Sequence, residues 1–255
     1  MKKIDVYGVC NPLIDLLCHI PDEFLQQWDL EKNRMYLVST DRQHSILKEL
    51  ENRSLKIEHA AGGSGANTMI GIAQLGGHSA FTGKIGFDPR GDQYRNDLED
   101  KGVKAALGAG EGMTGSSLIL VSNDGSRTMN THLGMCQELE PDDIDEKVLS
   151  STNILYLTGF LWDTESQKAS VRHALEMAEN LPVKVALSLS DPFCVERHHQ
   201  DFNELIRSRV DLLFCNQEEA FTMMETQVTQ EALAGLSENV ETVVMTLGNR
   251  GSIIC

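Results

Sequence analysis

Residues 62–67 read Gly62-Gly63-Ser64-Gly65-Ala66-Asn67. A short β-rich run, Lys56–Glu58, precedes them, and a helical pattern follows to Leu75, where Gly76-Gly77 stops it. Three glycines let backbone approach a ligand closely, and the helix start offers unpaired N–H groups. Asn67, in the first turn, can donate to and accept from a hydroxyl. A plain tight strand–helix turn is the alternative. The spacing is not G-x-G-x-x-G, so a dinucleotide site is not indicated. Nor is this a Walker A loop: the Gly83-Lys84 pair is followed by Ile85, where Ser or Thr should hold Mg²⁺.

Working outward, strands are predicted at Ile4–Val9, Ser79–Thr82, Ile154–Thr158, Val185–Leu189, Leu212–Cys215 and Val243–Thr246. Asn11-Pro12 breaks the first, and the apolar Leu13–Ile20 follows. Thr40-Asp41-Arg42-Gln43 has capping-box spacing and predicts a helix to Asn52. Further helices are expected over Pro89–Lys101, Glu165–Leu181, Glu196–Arg207, Glu218–Met224 and Gln230–Ser237. Strand–helix alternation predicts an α/β fold, a three-layer α/β/α sandwich with a mostly parallel sheet. Val103–Leu133 breaks the pattern with short strand-like pieces, and Asn123-Asp124-Gly125 signals a hairpin turn. A small antiparallel patch is expected there.

The chain has 255 residues, which at roughly 150 per domain is about 1.7 domains. One large unit, 1–255, with a modest appendage is expected. With 41% hydrophobic residues it can build a sizeable core. Its net charge of −16 repels phosphate backbones and anionic lipid, so neither nucleic acid nor membrane is an expected partner. A local nest of amides can still bind a small anion. No uncharged apolar run reaches the ~18–20 residues of a membrane helix. Asp5 and Asp15 interrupt any signal-peptide core after Met-Lys-Lys. The 6 cysteines form no C-x-x-C pair, and reduced buried thiols in a cytoplasmic protein are expected.

Four other places bear on chemistry. Asp15 sits within Leu13-Ile14-Asp15-Leu16-Leu17. A carboxylate there must face solvent or a polar ligand, for example two sugar hydroxyls, because a buried unpaired charge is costly. Asn216 and Glu219 share one side of a first helical turn at the carboxyl end of a strand, where open α/β sheets bind ligands. Glu219 suits Mg²⁺, and the same pair suits ordinary capping. Thr246-Leu247-Gly248-Asn249-Arg250-Gly251 is either a hairpin turn or a phosphate-facing loop. His132, His198 and His199 show no metal-ligand spacing to cysteine and are read as surface or core histidines.

Together and in this order these pieces resemble the ribokinase-like (PfkB) family of carbohydrate and nucleoside kinases. The matching segments are Asn11 to Asp15, Gly62 to Asn67 with Leu75-Gly76-Gly77, Gly83 to Gly86, Asp88 to Gly91, Asp124 to Thr128, Asn216 to Glu219 and Thr246 to Gly251. Asn11 to Asp15, Tyr156 to Asp163 and Ser190 to Cys194 look most like bacterial adenosine-kinase-like members. The resemblance implies a β lid over the sandwich, built from segments near 11–20, 34–39 and 103–133. It implies ATP- and Mg²⁺-dependent transfer to a primary hydroxyl of a nucleoside, or of a ribose- or fructose-type sugar. Asp15, Gly62, Gly63 and Asn67 would hold sugar hydroxyls. Asn11 and Arg127 would shape the lid side, and Phe160 or Leu161 would border a base. Asn216, Thr246, Gly248 and Gly251 would line the nucleotide, and Glu219 would serve the metal. Lids of some members pair into homodimers, so that association is an open expectation.

The resemblance also places a Gly-Ala-Gly-Asp motif, anion hole and general base, after the last hairpin. The chain as given ends at Cys255, before that point. Gly108-Ala109-Gly110-Glu111 is a decoy that ends in Glu. The C-terminal part of the fold and the catalytic Asp are therefore expected beyond Cys255, in a fragment or truncation. A non-catalytic sugar- or nucleotide-binding module of the same fold is the competing expectation.

Overall fold

The computed structural model describes residues 4–255. The strands are β1 (Ile4–Val9), β2 (Leu13–His19), β3 (Met35–Leu37), β4 (Ile57–Gly62), β5 (Ser79–Thr82), β6 (Lys84–Gly86), β7 (Lys104–Ala105), β8 (Gly108–Gly110), β9 (Gly115–Val121), β10 (Arg127–His132), β11 (Thr152–Thr158), β12 (Lys184–Ser188), β13 (Leu212–Asn216), β14 (Thr242–Thr246) and β15 (Ser252–Ile254). The helices are α1 (Asp22–Gln27), α2 (Thr40–Asn52), α3 (Ser64–Gln74), α4 (Pro89–Asp100), α5 (Glu146–Ser150), α6 (Glu165–Glu179), α7 (Pro192–Arg197), α8 (His199–Ser208), α9 (Gln217–Met224) and α10 (Thr229–Ser237).

Eight strands form the main sheet in the order β15-β14-β13-β12-β11-β1-β5-β7. All its pairs are parallel except β14–β15, which is antiparallel. Side chains alternate between its two faces. Tyr7, Val9, Leu155, Leu157 and Leu187 join one core with Val171 and Ala174 of α6 and Phe202 of α8. Cys10, Phe81, Tyr156 and Ala186 join a second core with Met69 of α3 and Tyr94 of α4. Helices on both faces make the sandwich expected from the alternation.

A second, five-stranded sheet has the order β3-β10-β9-β2-β4. The antiparallel hairpin expected about Asn123-Asp124-Gly125 is present as β9–β10, but the sheet it belongs to is mixed: β2 pairs parallel to β9, and β10 parallel to β3. The pairs β9–β10 and β2–β4 are antiparallel, and only the first is a local hairpin. Of segment 103–133, residues 115–132 enter this sheet; β7 belongs to the main sheet and β8 pairs with β6. The strand expected at Lys56–Glu58 instead runs over Ile57–Gly62, into the first of the three glycines. It does so because β2 supplies hydrogen-bonding partners as far as Gly62.

Two helix starts also differ. The α2 cap is Ser39, whose side chain accepts from the Arg42 amide, not a box opened by Thr40. The single helix expected over Glu196–Arg207 is two, α7 and α8, meeting at His198. Asp191 followed by Pro192 makes a strong start, so α7 begins earlier. Lys84 is structural: it is buried and ion-paired at 2.7 Å to Glu140 and 3.1 Å to Asp143. No described helix is long and apolar enough to cross a membrane.

Candidate functional site

Parallel strands put their carboxyl ends on one edge of the main sheet. Above the ends of β1, β11 and β12 lies a cleft of about 370 Å³, roofed by the five-stranded sheet. Alternate residues of that sheet face it: Leu13 and Asp15, Ser117 and Ile119, Arg127, Met129 and Thr131, Met35 and Leu37. The neighbours between them, Ile14, Leu16, Leu118 and Leu120, pack into the core. Asn11, Asp15, Gly63, Asn67, Arg127 and Phe160 all line the cleft.

The glycine loop forms its floor. A Cβ on Gly62 would overlap the Asp15 carboxyl, so Gly62 makes room for that group although it does not line the cleft itself. Gly63, the α3 N-cap, has φ +87°, a left-handed value that suits glycine. A Cβ on Gly65 would overlap the Cys10 sulfur. The helix start thus sits hard against the end of β1. Asn11 is buried; its Oδ1 accepts from Gln167 Nε2 at 2.7 Å, which leaves the Asn11 amide N–H₂ to donate. Gln167 also donates to the Cys136 carbonyl at 2.7 Å, and it is wholly buried.

Burial pushes the Asp15 carboxyl up from 3.8 to about 6, and the Arg127 charge opposes this only in part. A raised carboxyl holds its proton more tightly in the folded state. Its contribution to stability is therefore full below the unfolded value near 3.8 and is lost as pH rises through about 6. Asp15→Asn should remove that loss. Thermal midpoints measured between about pH 4 and 7 should show the variant gaining on wild type as pH rises. Parallel curves would mean that Asp15 is solvated.

The second group of predicted residues lies farther along the same edge. Asn216 pairs in register with Thr246 on adjacent β13 and β14. Asn216 and Glu219 form a complete capping box: Glu219 N–H donates to Asn216 Oδ1 at 2.8 Å, and Asn216 N–H to Glu219 Oε2 at 2.9 Å. Asn216 Nδ2 donates to Glu219 Oε1 at 2.7 Å. Burial pushes the Glu219 carboxyl up to about 7, opposed by the Asn216 amide and reinforced by the charges of Asp191 and Glu218. Gly248 and Gly251, at φ +62° and +89°, bound a turn with open space where a Cβ would stand. Asn216, Glu219, Thr246, Gly248 and Gly251 do not line the cleft.

Asp163, Ser190 and Asp191 also line the cleft; the sequence offers them only as parts of matching segments, with no role of their own. Ser190 carries φ +76°, a strained value for a non-glycine residue, and its hydroxyl accepts from the Gly159 N–H at 3.0 Å. Asp191 caps α7. The Asp-Pro start signal could have marked it. His198, read as a surface or core histidine, is largely buried, and its ring lies beside Asp163 and Cys194. His199 Nε2 lies 2.9 Å from the Met223 carbonyl, and His132 Nε2 lies 3.3 Å from Thr40 Oγ1. All six cysteines are free, five of them buried.

The sequence profile described as "pfkB family carbohydrate kinase" matches residues 31–255. The adenosine kinase structure from Sinorhizobium meliloti superposes with a TM-score of 0.91 at 35% identity, covering 99% of this chain and 77% of that one. A probable sugar kinase from Rhizobium etli gives a TM-score of 0.91 at 32% identity, covering 100% and 77%. The guanosine-inosine kinase of Escherichia coli K12 is 24% identical over 241 residues, 91% of this chain and 53% of that protein. The chain thus spans about half the length of the curated relatives it matches.

Proposed function

The chain belongs to the pfkB family of carbohydrate kinases, and from its cleft we propose that it serves ATP-dependent phosphoryl transfer to a primary hydroxyl of a nucleoside. One observation carries the acceptor class: the cleft joins a carboxylate end to an apolar wall. Asp15, Asn67 and the Asn11 amide cluster near the glycine loop, while Phe160, Leu133, Met129, Ile119, Met35 and Leu37 supply apolar surface. Hydroxyls suit the first group and a flat base suits the second. A free sugar would leave that apolar wall facing water.

In this reading Asp15 accepts from two ribose hydroxyls, with Gly62 and Gly63 keeping the floor thin. Arg127 closes the far side from the five-stranded sheet, which acts as a lid. Asn216, Thr246, Gly248 and Gly251 flank the nucleotide along the neighbouring strand ends. Glu219 is the residue for Mg²⁺. Its carboxyl is raised to about 7 partly by the Asp191 charge, and a divalent cation would relieve that crowding. When bound, Mg²⁺ would screen charge on the transferred phosphoryl group. Glu219 would orient the ion's waters through oxygens that Asn216 already holds in place.

The acceptor class is tested by ADP release from ATP by the native protein, across purine nucleosides, ribose and fructose. Turnover should be fastest with a nucleoside. Preference for a free sugar, or no nucleoside turnover, would overturn the reading. Glu219→Gln should lower kcat on the order of 10–100-fold and shift its Mg²⁺ dependence, with nucleoside KM nearly constant. An unchanged Mg²⁺ titration would return Glu219 to a capping role alone.

A further inference from the structure

We propose that Asp163, Cys194 and His198 form a binding site for one zinc-class divalent cation in the wall of the cleft. Their donor atoms, a carboxylate oxygen, a thiol sulfur and an imidazole nitrogen, all lie within 4.8 Å of one another. Ligand atoms of tetrahedral zinc stand about 3.3–3.8 Å apart for bonds of roughly 2.0–2.3 Å. His198 Nε2 already lies 3.5 Å from Asp163 Oδ1. The remaining separations need only a modest contraction.

Two elements bring these groups together. Asp163 ends the short helical turn Gly159–Trp162 that follows β11. Cys194 lies in the first turn of α7, and His198 caps that helix's end. The His198 amide donates to the Cys194 carbonyl at 3.1 Å, so both side chains stand on one face, a turn apart. The imidazole is held edge-to-face against Phe202, with ring centres 6.2 Å apart.

The cluster has an unfilled valence. Among the described residues, His198 Nε2 is buried without a hydrogen-bond partner, although buried polar atoms nearly always have one. Cys194 is wholly buried, and Asp163 and His198 side chains are 8% and 15% exposed. Cys194 donates to the Gly159 carbonyl at 3.2 Å, and Asp163 accepts from Arg197 at 2.7 Å. Cation binding replaces both contacts: the thiol proton passes to solvent, and the Arg197 side chain, 44% exposed, is free to turn outward. Sulfur and nitrogen donors with one carboxylate favour zinc over magnesium or calcium. Three protein ligands leave a fourth position for water. The ion would tie the turn that carries Phe160 to the helix that Asp191 caps, stiffening two borders of the cleft.

The test is calorimetric titration with Zn²⁺, and spectroscopic titration with Co²⁺, on protein first treated with a chelator and kept in a phosphine reductant. A Cys255→Ser background removes the exposed thiol. One equivalent of either metal should bind. Co²⁺ should show a thiolate charge-transfer band, and Zn²⁺ should raise the thermal midpoint. His198→Gln and Cys194→Ser should each weaken binding by more than the roughly 10–100-fold cost of losing an outer partner. Cys194→Ser should also abolish the band. His198 sits at a helix end, so its variant keeps the test valid if Cys194→Ser fails to fold. No stoichiometric binding, or binding unchanged in His198→Gln, would overturn the proposal. None of these readouts depends on phosphoryl transfer.

Discussion

Asp15→Asn should weaken nucleoside binding by about 1.5–3 kcal/mol, roughly 10–150-fold, the cost of losing hydrogen bonds to a charged acceptor. The carboxylate is half-buried in the cleft, and Gly62 leaves no side chain between it and the glycine loop. Asparagine keeps the shape but offers one acceptor in place of two. Because the carboxyl titrates near 6, wild-type affinity should also rise as pH climbs through that value. The variant should show no such rise. The same substitution is expected to stabilise the unliganded protein above about pH 6, because it removes a buried charge. Calorimetric titrations at two pH values check both effects. Equal affinities would remove Asp15 from the site.

Phe202→Ala should cost about 3–5 kcal/mol of stability, the range for deleting a buried aromatic. Phe202 is wholly buried in the core between the main sheet and its helices, edge-to-face with Trp162 at 5.1 Å between ring centres. A Cβ on Gly159 would lie 3.1 Å from its ring, so the same ring supports the turn bearing Phe160. For a domain of this size the thermal midpoint should fall by about 6–20 °C. Chemical denaturation and calorimetry would measure it. A loss below about 1 kcal/mol would mean that the neighbouring helices collapse into the cavity.

The main sheet was legible because its longer strands are short, largely apolar runs, most of them in alternation with helical periods. Ile4–Val9 and Ser79–Thr82 match to the residue. The five-stranded sheet was only half legible. Its hairpin turn at Asn123-Asp124-Gly125 is a local signal. The parallel contact of β2 with β9 joins residues about a hundred positions apart and leaves no local trace. For the same reason β4 looked shorter than it is: its last residues, Ala61 and Gly62, are strand only because β2 is there. In the cleft, Asp15 stood out as a charge in an apolar run. Gln167 did not, because a single Gln on a helix signals nothing until Asn11 is found opposite it. Cys194 and His198 are separated from Asp163 by a helix and a strand, and the early start of α7 hid their common face.

The most direct test of a nucleoside as acceptor is the ratio of affinities for a purine nucleoside and for free ribose, measured by calorimetry on one preparation. Stacking of a base on an aromatic surface contributes about 1–3 kcal/mol. If Phe160 and the apolar face of the five-stranded sheet border a base, the nucleoside should bind about 5–150-fold more tightly than ribose. Phe160→Ala should erase most of that difference and leave ribose affinity unchanged. Equal affinities for nucleoside and ribose in wild type would contradict the account and make the cleft a sugar site.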